Sequence, residues 1–201
     1  MDLRTELNER DLDSDPIRQF THWLSEATRA GVPMANAMAL ATVSADGVPS
    51  VRMVLLPLVD ERGFVFETNL ESPKAKDLAA VPRAALAFYW APLHRQVRVS
   101  GRVEPIPVGE AQGYFAGEPP EIQAMIRACP QSQVIADRAA LEQLYAAALA
   151  APDTALPAYW GGYRLRPEFI EFWQGRPNRL QDRLRFTRDA SNGWRIERLV
   201  P

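Results

Sequence analysis

Ala37-Met38-Ala39-Leu40-Ala41-Thr42-Val43, then Ala45-Asp46-Gly47, then Val51-Arg52-Met53-Val54-Leu55-Leu56-Pro57-Leu58 is the stretch on which the fold turns. The first run has the length and apolar continuity of a buried strand. Asp-Gly between two such runs signals a hairpin, because glycine accepts the positive φ of a tight turn. The 51–58 run is then the return strand. Working outward, Asp60-Glu61-Arg62-Gly63 marks a further turn and 64–68 the next strand. A short helix is expected over 74–80, and a second hairpin-like pair over 84–90 and 96–103. In the last run Val97, Val99, Gly101 and Val103 share one face, and Gln96, Arg98, Ser100 and Arg102 the other.

Upstream, Ser14-Asp15-Pro16 reads as a capped helix start. Ile17, Phe20, Trp23, Leu24 and Ala27 recur at helical spacing up to Gly31. Residues 1–13 are charged and patternless, which predicts a loose arm. Downstream, helical segments are expected near 108–116, 120–128 and 137–150, and Pro152, Pro157, Gly161 and Gly162 punctuate a loop. Strands return at 163–165, 169–173, 183–187 and 194–199. No internal repeat or linker interrupts the chain. About eight short strands with helices grouped between them predict one α+β domain over 1–201, built on an antiparallel barrel.

Composition narrows the function. The chain has 201 residues, 47% hydrophobic, 24% charged and 9% aromatic, with net charge −2. These values exclude a disordered or collagen-like chain and argue against bulk attraction to nucleic acid or an anionic membrane. No apolar run has the length of a membrane span, and the first residues lack a signal-peptide core. Cys129 is the single cysteine, which excludes an intrachain disulfide and fits a reducing cytoplasm. Of 23 basic residues only Lys74 and Lys76 are lysine. Coding bias explains the excess of arginine, but not why both lysines fall within three residues.

Much familiar chemistry is missing. There is no Walker loop, no G-x-G-x-x-G after a strand and no G-x-S-x-G. His22, His94 and Cys129 show no metal-ligand spacing, so no metal is expected. His22 reads as a partly exposed structural residue, and Cys129, before Pro130, as an incidental thiol. What remains is a set of polar and cationic residues at strand and helix ends: Arg52, Thr68-Asn69, Ser72-Pro73-Lys74, Gln96 and Gln131-Ser132. A helix N-terminus beside Lys74 makes a natural phosphate seat, but on this signal alone a solvated helix end is the better reading.

Taken together, the segments resemble the pyridoxamine 5'-phosphate oxidase family, FMN enzymes of the split-barrel fold. The most specific block is C-terminal: Trp160-Gly161-Gly162-Tyr163-Arg164, Glu171-Phe172-Trp173-Gln174-Gly175, Arg179-Leu180-x-Asp182-Arg183 and Trp194-x-x-x-Arg198-Leu199-x-Pro201. The likeness runs in constant order over about residues 12–201. It implies FMN as cofactor. Arg52 and Lys74 match the phosphate-binding positions, and Met53, Val54 and Leu55 the strand along the flavin. Glu67, Thr68, Gln96, Gln131, Ser132, Trp173 and Arg183 match the remaining flavin contacts. The family pattern has arginine just before its lysine, whereas Pro73 stands here. Because the family's flavin lies between two subunits, a homodimer is implied.

The substrate side departs further. By the same resemblance, phosphorylated pyridine substrates are held by Lys, Tyr, Arg and Ser, with an Arg-x-His pair over the reacting carbon. Here those positions are Pro57, Tyr114, Glu118 and Ile122, and Arg179 is followed by Gln181. Losing the lysine and arginine removes about 1.5–3 kcal/mol each. Arginine drift would not give proline, glutamate and isoleucine together. The expected activity is therefore an FMN-dependent oxidase passing a hydride from a small ring substrate to the flavin, with O2 as acceptor. Arg179 and Gln181 would stand over the substrate. The alternatives are a genuine pyridoxamine or pyridoxine 5'-phosphate oxidase with a clamp rebuilt from Arg127 or Arg176, a phenazine-biosynthesis type of oxidase, or a flavin-binding protein without turnover. A pyridoxal-phosphate carrier is disfavoured, since the phosphate clamp is what is missing.

Overall fold

A computed structural model of the chain describes residues 6–151, 155–177 and 179–201. Residues 1–5 of the expected arm and Pro152 of the expected loop lie outside them. The expected hairpin forms from β1 (Ala37–Val43) and β2 (Pro49–Leu55), paired antiparallel from Ala37↔Leu55 to Val43↔Pro49. Gly47 turns it with φ +80°, and its N–H donates to Ser44 O at 2.9 Å. The return strand stops earlier than expected, at Leu55. Leu56 N–H leaves the ladder for Asn36 O, and Pro57 has no N–H to continue it. The chain resumes as a short β3 (Leu58–Asp60), paired with β4 (Gly63–Asn69).

Four further elements were expected where they occur: α1 (Pro16–Arg29), α2 (Pro73–Ala80), β5 (Arg83–Trp90) and β6 (Arg95–Pro105). Asp15 caps α1 by accepting from Ile17 N–H at 2.9 Å, as the Asp-Pro start requires. In β6 the alternation holds, with Val97, Val99, Gly101 and Val103 buried. The helices α3 (Val108–Gly117), α4 (Pro120–Ala128) and α5 (Arg138–Ala150) follow. The strands expected at 163–165 and 169–173 are one 15-residue strand, β7 (Trp160–Gln174). Then come β8 (Asp182–Arg188) and β9 (Trp194–Arg198).

All pairings are antiparallel, in the order β2-β1-β5-β6-β7-β4-β3, with β8 on β7 and β9 on β8. Along one edge β7 pairs with β6 from Tyr163 to Gln174. Its other edge is divided: Trp160 to Leu165 pairs with β4, and Phe169 to Gln174 with β8. The division falls around Pro167, opposite a register shift between Ser100 and Gly101. A proline is tolerated inside a strand at such a bulge, which is why the two short strands fuse. The sheet curls into a split barrel.

α1 closes the barrel's apolar interior. Phe20, fully buried, meets Phe64 and Phe88 at ring-centroid distances of 4.8 Å each, and Trp23 meets Phe172 at 5.1 Å. The segment expected to be loose is held from residue 6 onward. Leu7 is buried, its N–H donates to Asp182, and Arg198 bonds Glu9. Charge complementarity at long range, invisible to local pattern, anchors it. A smaller cluster of Val65, Ile106 and Ala111 lies behind β4.

At Gly101 a Cβ would stand 1.9 Å from Arg166 O, whereas at Gly109, in α3, it would meet nothing within 4 Å. Gly101→Ala is therefore expected to lower stability by about 1–3 kcal/mol or more, by forcing β6 and β7 apart. Gly109→Ala should be neutral or stabilising by up to about 1 kcal/mol. Urea midpoints of the two variants check this; equal midpoints would show that the β6–β7 approach is not tight.

Candidate functional site

Strand pairing and one helix start bring the cations together. α2 buries Lys74, Ala75 and Leu78 on one face, which carries the Lys74 side chain inward to 9% exposure. Its Nζ donates to Gln131 Oε1 at 2.8 Å, Thr68 Oγ1 at 3.1 Å and Ser72 Oγ at 3.3 Å. These three acceptors are neutral. Burial pushes the ammonium below the usual lysine range, and the nearby Arg52 charge pushes the same way. Arg52, on β2, donates to Thr42 Oγ1 at 2.7 Å, Leu40 O at 3.2 Å and Ser50 Oγ at 2.6 Å. Asp77 orients this arrangement. Its Oδ2 accepts from Thr42 Oγ1 at 2.6 Å and lies 4.0 Å from the guanidinium.

These residues line a cavity of about 430 Å³ between β2, the end of β4, the start of α2 and the segment after α4. Of the expected cofactor residues, Arg52, Met53, Val54, Glu67, Thr68, Lys74, Gln131 and Ser132 lie around it. Pro73 lines it too, so the departing position faces the site. An adjoining recess of about 320 Å³ shares Met53, Val54, Glu67 and Gln131 with it. Leu55, Pro57, Glu118 and Ile122 line this second recess, so three of the four altered substrate positions do converge.

The carboxylates of that recess are Glu67 and Glu118. Trp160 Nε1 donates to Glu67 Oε1 at 3.2 Å. Burial pushes the Glu67 carboxyl above the usual carboxylate range; the Trp160 bond opposes this and the Glu118 charge adds to it.

Tyr114 does not line the recess. It sits on α3 against the Val65 cluster, where burial pushes its phenol up. Buried Arg164 ties α3 to the sheet beneath it, bonding Glu110 Oε2 at 2.9 Å and also Asp60. Gln96, Trp173 and Arg183 lie outside both cavities, in a cross-strand row on β6, β7 and β8. Arg183 there bonds Glu171 Oε1 at 2.9 Å. Arg179 is exposed in the β7–β8 connection with φ +61°. Gln181 lines a third recess of about 230 Å³ with His94, Trp173 and Arg176, and its Oε1 accepts from Arg176 N–H at 2.6 Å.

Sequence reasoning did not single out Thr42, Ser50 or Asp77. Asp77 had a usable signal, since it stands three residues from Lys74 on the same helix and so shares its face. Thr42 and Ser50 become relevant only through the β1–β2 register, where they pair with each other. Asn36, Met125 and Ile126 also line the second recess. Among the described residues no group of three or more His, Cys, Asp or Glu could hold a metal ion, and no helix is long and apolar enough to cross a membrane.

Comparison with known proteins places this geometry. Residues 24–149 match the family model described as pyridoxamine 5'-phosphate oxidase, and residues 160–201 the pyridoxine 5'-phosphate oxidase C-terminal dimerisation region. A pyridoxine/pyridoxamine 5'-phosphate oxidase of Burkholderia vietnamiensis is 52% identical, covering 98% of this chain and 94% of its own length. One of Janthinobacterium sp. is 46% identical over 100% of this chain and 98% of its own. Among solved structures, PhzG from Burkholderia lata 383, in complex with tetrahydrophenazine-1-carboxylic acid, superposes with a TM-score of 0.92 at 35% identity, with 98% of both chains covered. A pyridoxamine 5'-phosphate oxidase-related, FMN-binding protein of Nostoc punctiforme shares the fold at a TM-score of 0.77 and 20% identity, covering 94% of this chain and 100% of its own. The chain belongs to the pyridoxamine 5'-phosphate oxidase family of flavin-dependent oxidoreductases.

Proposed function

We propose that the chain binds FMN in the first cavity and oxidises, in the second, a small ring substrate that carries no phosphate ester. The charge of the two cavities supports this most directly. The first holds Lys74, with its neutral partners, beside Arg52. A buried ammonium among neutral acceptors suits a phosphate, which would return it toward its ordinary basicity. The second is lined by Glu67 and Glu118, while its other lining residues are uncharged. Within one chain, a phosphate ester there would face carboxylates without a cation.

Bound FMN would supply a two-electron acceptor, taking a hydride from a substrate carbon, with O2 then taking the electrons to give hydrogen peroxide. The chain's own groups do the rest. Lys74 and Arg52 hold the phosphate, Met53, Val54 and Leu55 lie along the ring, and Thr68, Glu67, Gln131 and Ser132 complete the polar edge. Arg179 orients the substrate or stabilises developing charge. Gln181 can hydrogen-bond, but it cannot exchange a proton as histidine would.

The reading includes a homodimer with FMN at the interface. Trp160 and Trp173 stand near opposite ends of β7, roughly 40 Å apart along an extended strand. Only Trp160 lines the cavities beside Lys74. A second copy would therefore supply Gln96, Trp173, Arg183, Arg179 and Gln181 to the flavin held by the first. Val51 and Met53, 68% and 65% exposed on the edge strand β2, give such a copy an apolar face to cover. A cytoplasmic setting fits the unpaired Cys129.

A second reading, oxidation of pyridoxamine or pyridoxine 5'-phosphate, is favoured by the names of relatives 52% identical to the chain. It needs a rebuilt clamp. Arg127 directs a guanidinium nitrogen to Ala148 O at 3.2 Å, and Arg176 lines the third recess, so within one chain neither arginine lines the second. The PhzG likeness favours a ring substrate without a phosphate ester.

Titration should give a saturable yellow FMN complex near one flavin per chain; no complex would end the proposal. Lys74→Met should weaken FMN binding about 10- to 100-fold, the loss of one charge-assisted contact, read by flavin fluorescence. Mixed anaerobically with pyridoxamine 5'-phosphate, the flavin should stay oxidised. Rapid bleaching at micromolar substrate would instead establish the second reading. Pro57→Lys combined with Glu118→Arg should tighten phosphate-ester binding by about two decades or more, measured calorimetrically. No gain would mean that these positions do not face the substrate's ester.

A further inference from the structure

We infer that Glu118 makes the second recess selective for a ring substrate bearing a protonated amine, with Glu67 as the second carboxylate of the cation's seat. This rests on the proposal that the recess receives substrate. Four lining residues are shared with the phosphate-holding cavity, so a ring entering here lies against whatever that cavity holds. Glu118 caps the C-terminus of α3, with its N–H bonded to Phe115 O at 3.2 Å. Its carbonyl accepts from Gln123 Nε2 at 2.8 Å. The backbone at this residue is therefore held from both sides. Glu67 is held by Trp160 at 3.2 Å.

Trp160, Met53, Ile122 and Met125 give the recess apolar surface beside its carboxylates, and Asn36 and Gln131 add neutral polar groups. A partly apolar slot with two carboxylates rejects an anion by repulsion and by desolvating its charge without a compensating partner. A neutral ring gains only burial. A ring ammonium gains burial, charge-assisted bonds to the carboxylates and the face of an indole able to hold a cation. It also offsets the Glu118 charge that Glu67 feels in the recess. Specificity of this kind is a difference in affinities, and here the repulsive element is already built in.

The test is calorimetric titration of the FMN-reconstituted protein with benzylamine, benzyl alcohol and benzoate, which share one ring and differ in charge. Benzylamine should bind about tenfold or more tightly than benzyl alcohol, with benzoate weakest. Glu118→Gln should erase most of the amine's advantage while leaving benzyl alcohol within about twofold of its original affinity. Glu118→Lys should shift the preference toward benzoate. The inference is overturned if the three probes bind alike, if none binds, or if Glu118→Gln leaves their order unchanged. Failure of the FMN proposal is a separate result: absence of flavin binding shows it, and the same titrations on the flavin-free protein still decide the amine preference.

Discussion

β7 has two edges to satisfy over 15 residues, and the way it does so governs the molecule. One edge is taken by β6 from Tyr163 to Gln174, while the other is shared between β4 and β8. The change of partner coincides with the bulge at Ser100/Gly101, where the β6 and β7 backbones come too close for any side chain at Gly101. Every backbone amide of an interior strand needs an acceptor, so Pro167, which has none to offer, sits where the neighbours change. The barrel is split there.

The split sorts the chemistry. On the β4 side, the strand end carries Glu67 and Thr68 into contact with the start of α2 and the segment after α4. The result is a lysine buried among neutral oxygens, an arrangement that is costly unless something negative arrives. On the β8 side, Gln96, Trp173 and Arg183 form a cross-strand row outside that cavity, and Trp173 lines a smaller recess with Gln181. Two copies placing the first surface of one against the second surface of the other would reunite the set, and a single chain does not.

The same arrangement separates what the family has in common from what this chain has altered. The cavity around Lys74 and Arg52 has an orienting carboxylate, Asp77, behind Arg52. The adjoining recess is lined by Pro57, Glu118 and Ile122. Three positions spread over 66 residues of sequence meet in one space, which is what the proposed change of substrate recognition requires.

Much of this was legible from local pattern. Period-two alternation placed β6, Asp-Gly placed the first hairpin, and Asp-Pro placed the start of α1, because each depends on only a few neighbouring residues. The family resemblance pointed to a set of cofactor positions, and most of them line one cavity. Tertiary structure decided what depends on distant partners. The runs 163–165 and 169–173 read as separate strands, which the bulge against β6 joins across Pro167, and the charged segment 6–13 read as loose until Asp182 and Arg198 held it. Tyr114 matched a substrate position, but α3 packs it against Val65. The burial of Lys74 and the meeting of Glu67 with Glu118 are likewise three-dimensional facts. Local sequence carries the dihedral preferences of short segments, whereas desolvation and charge–charge repulsion depend on which segments the strand register brings together.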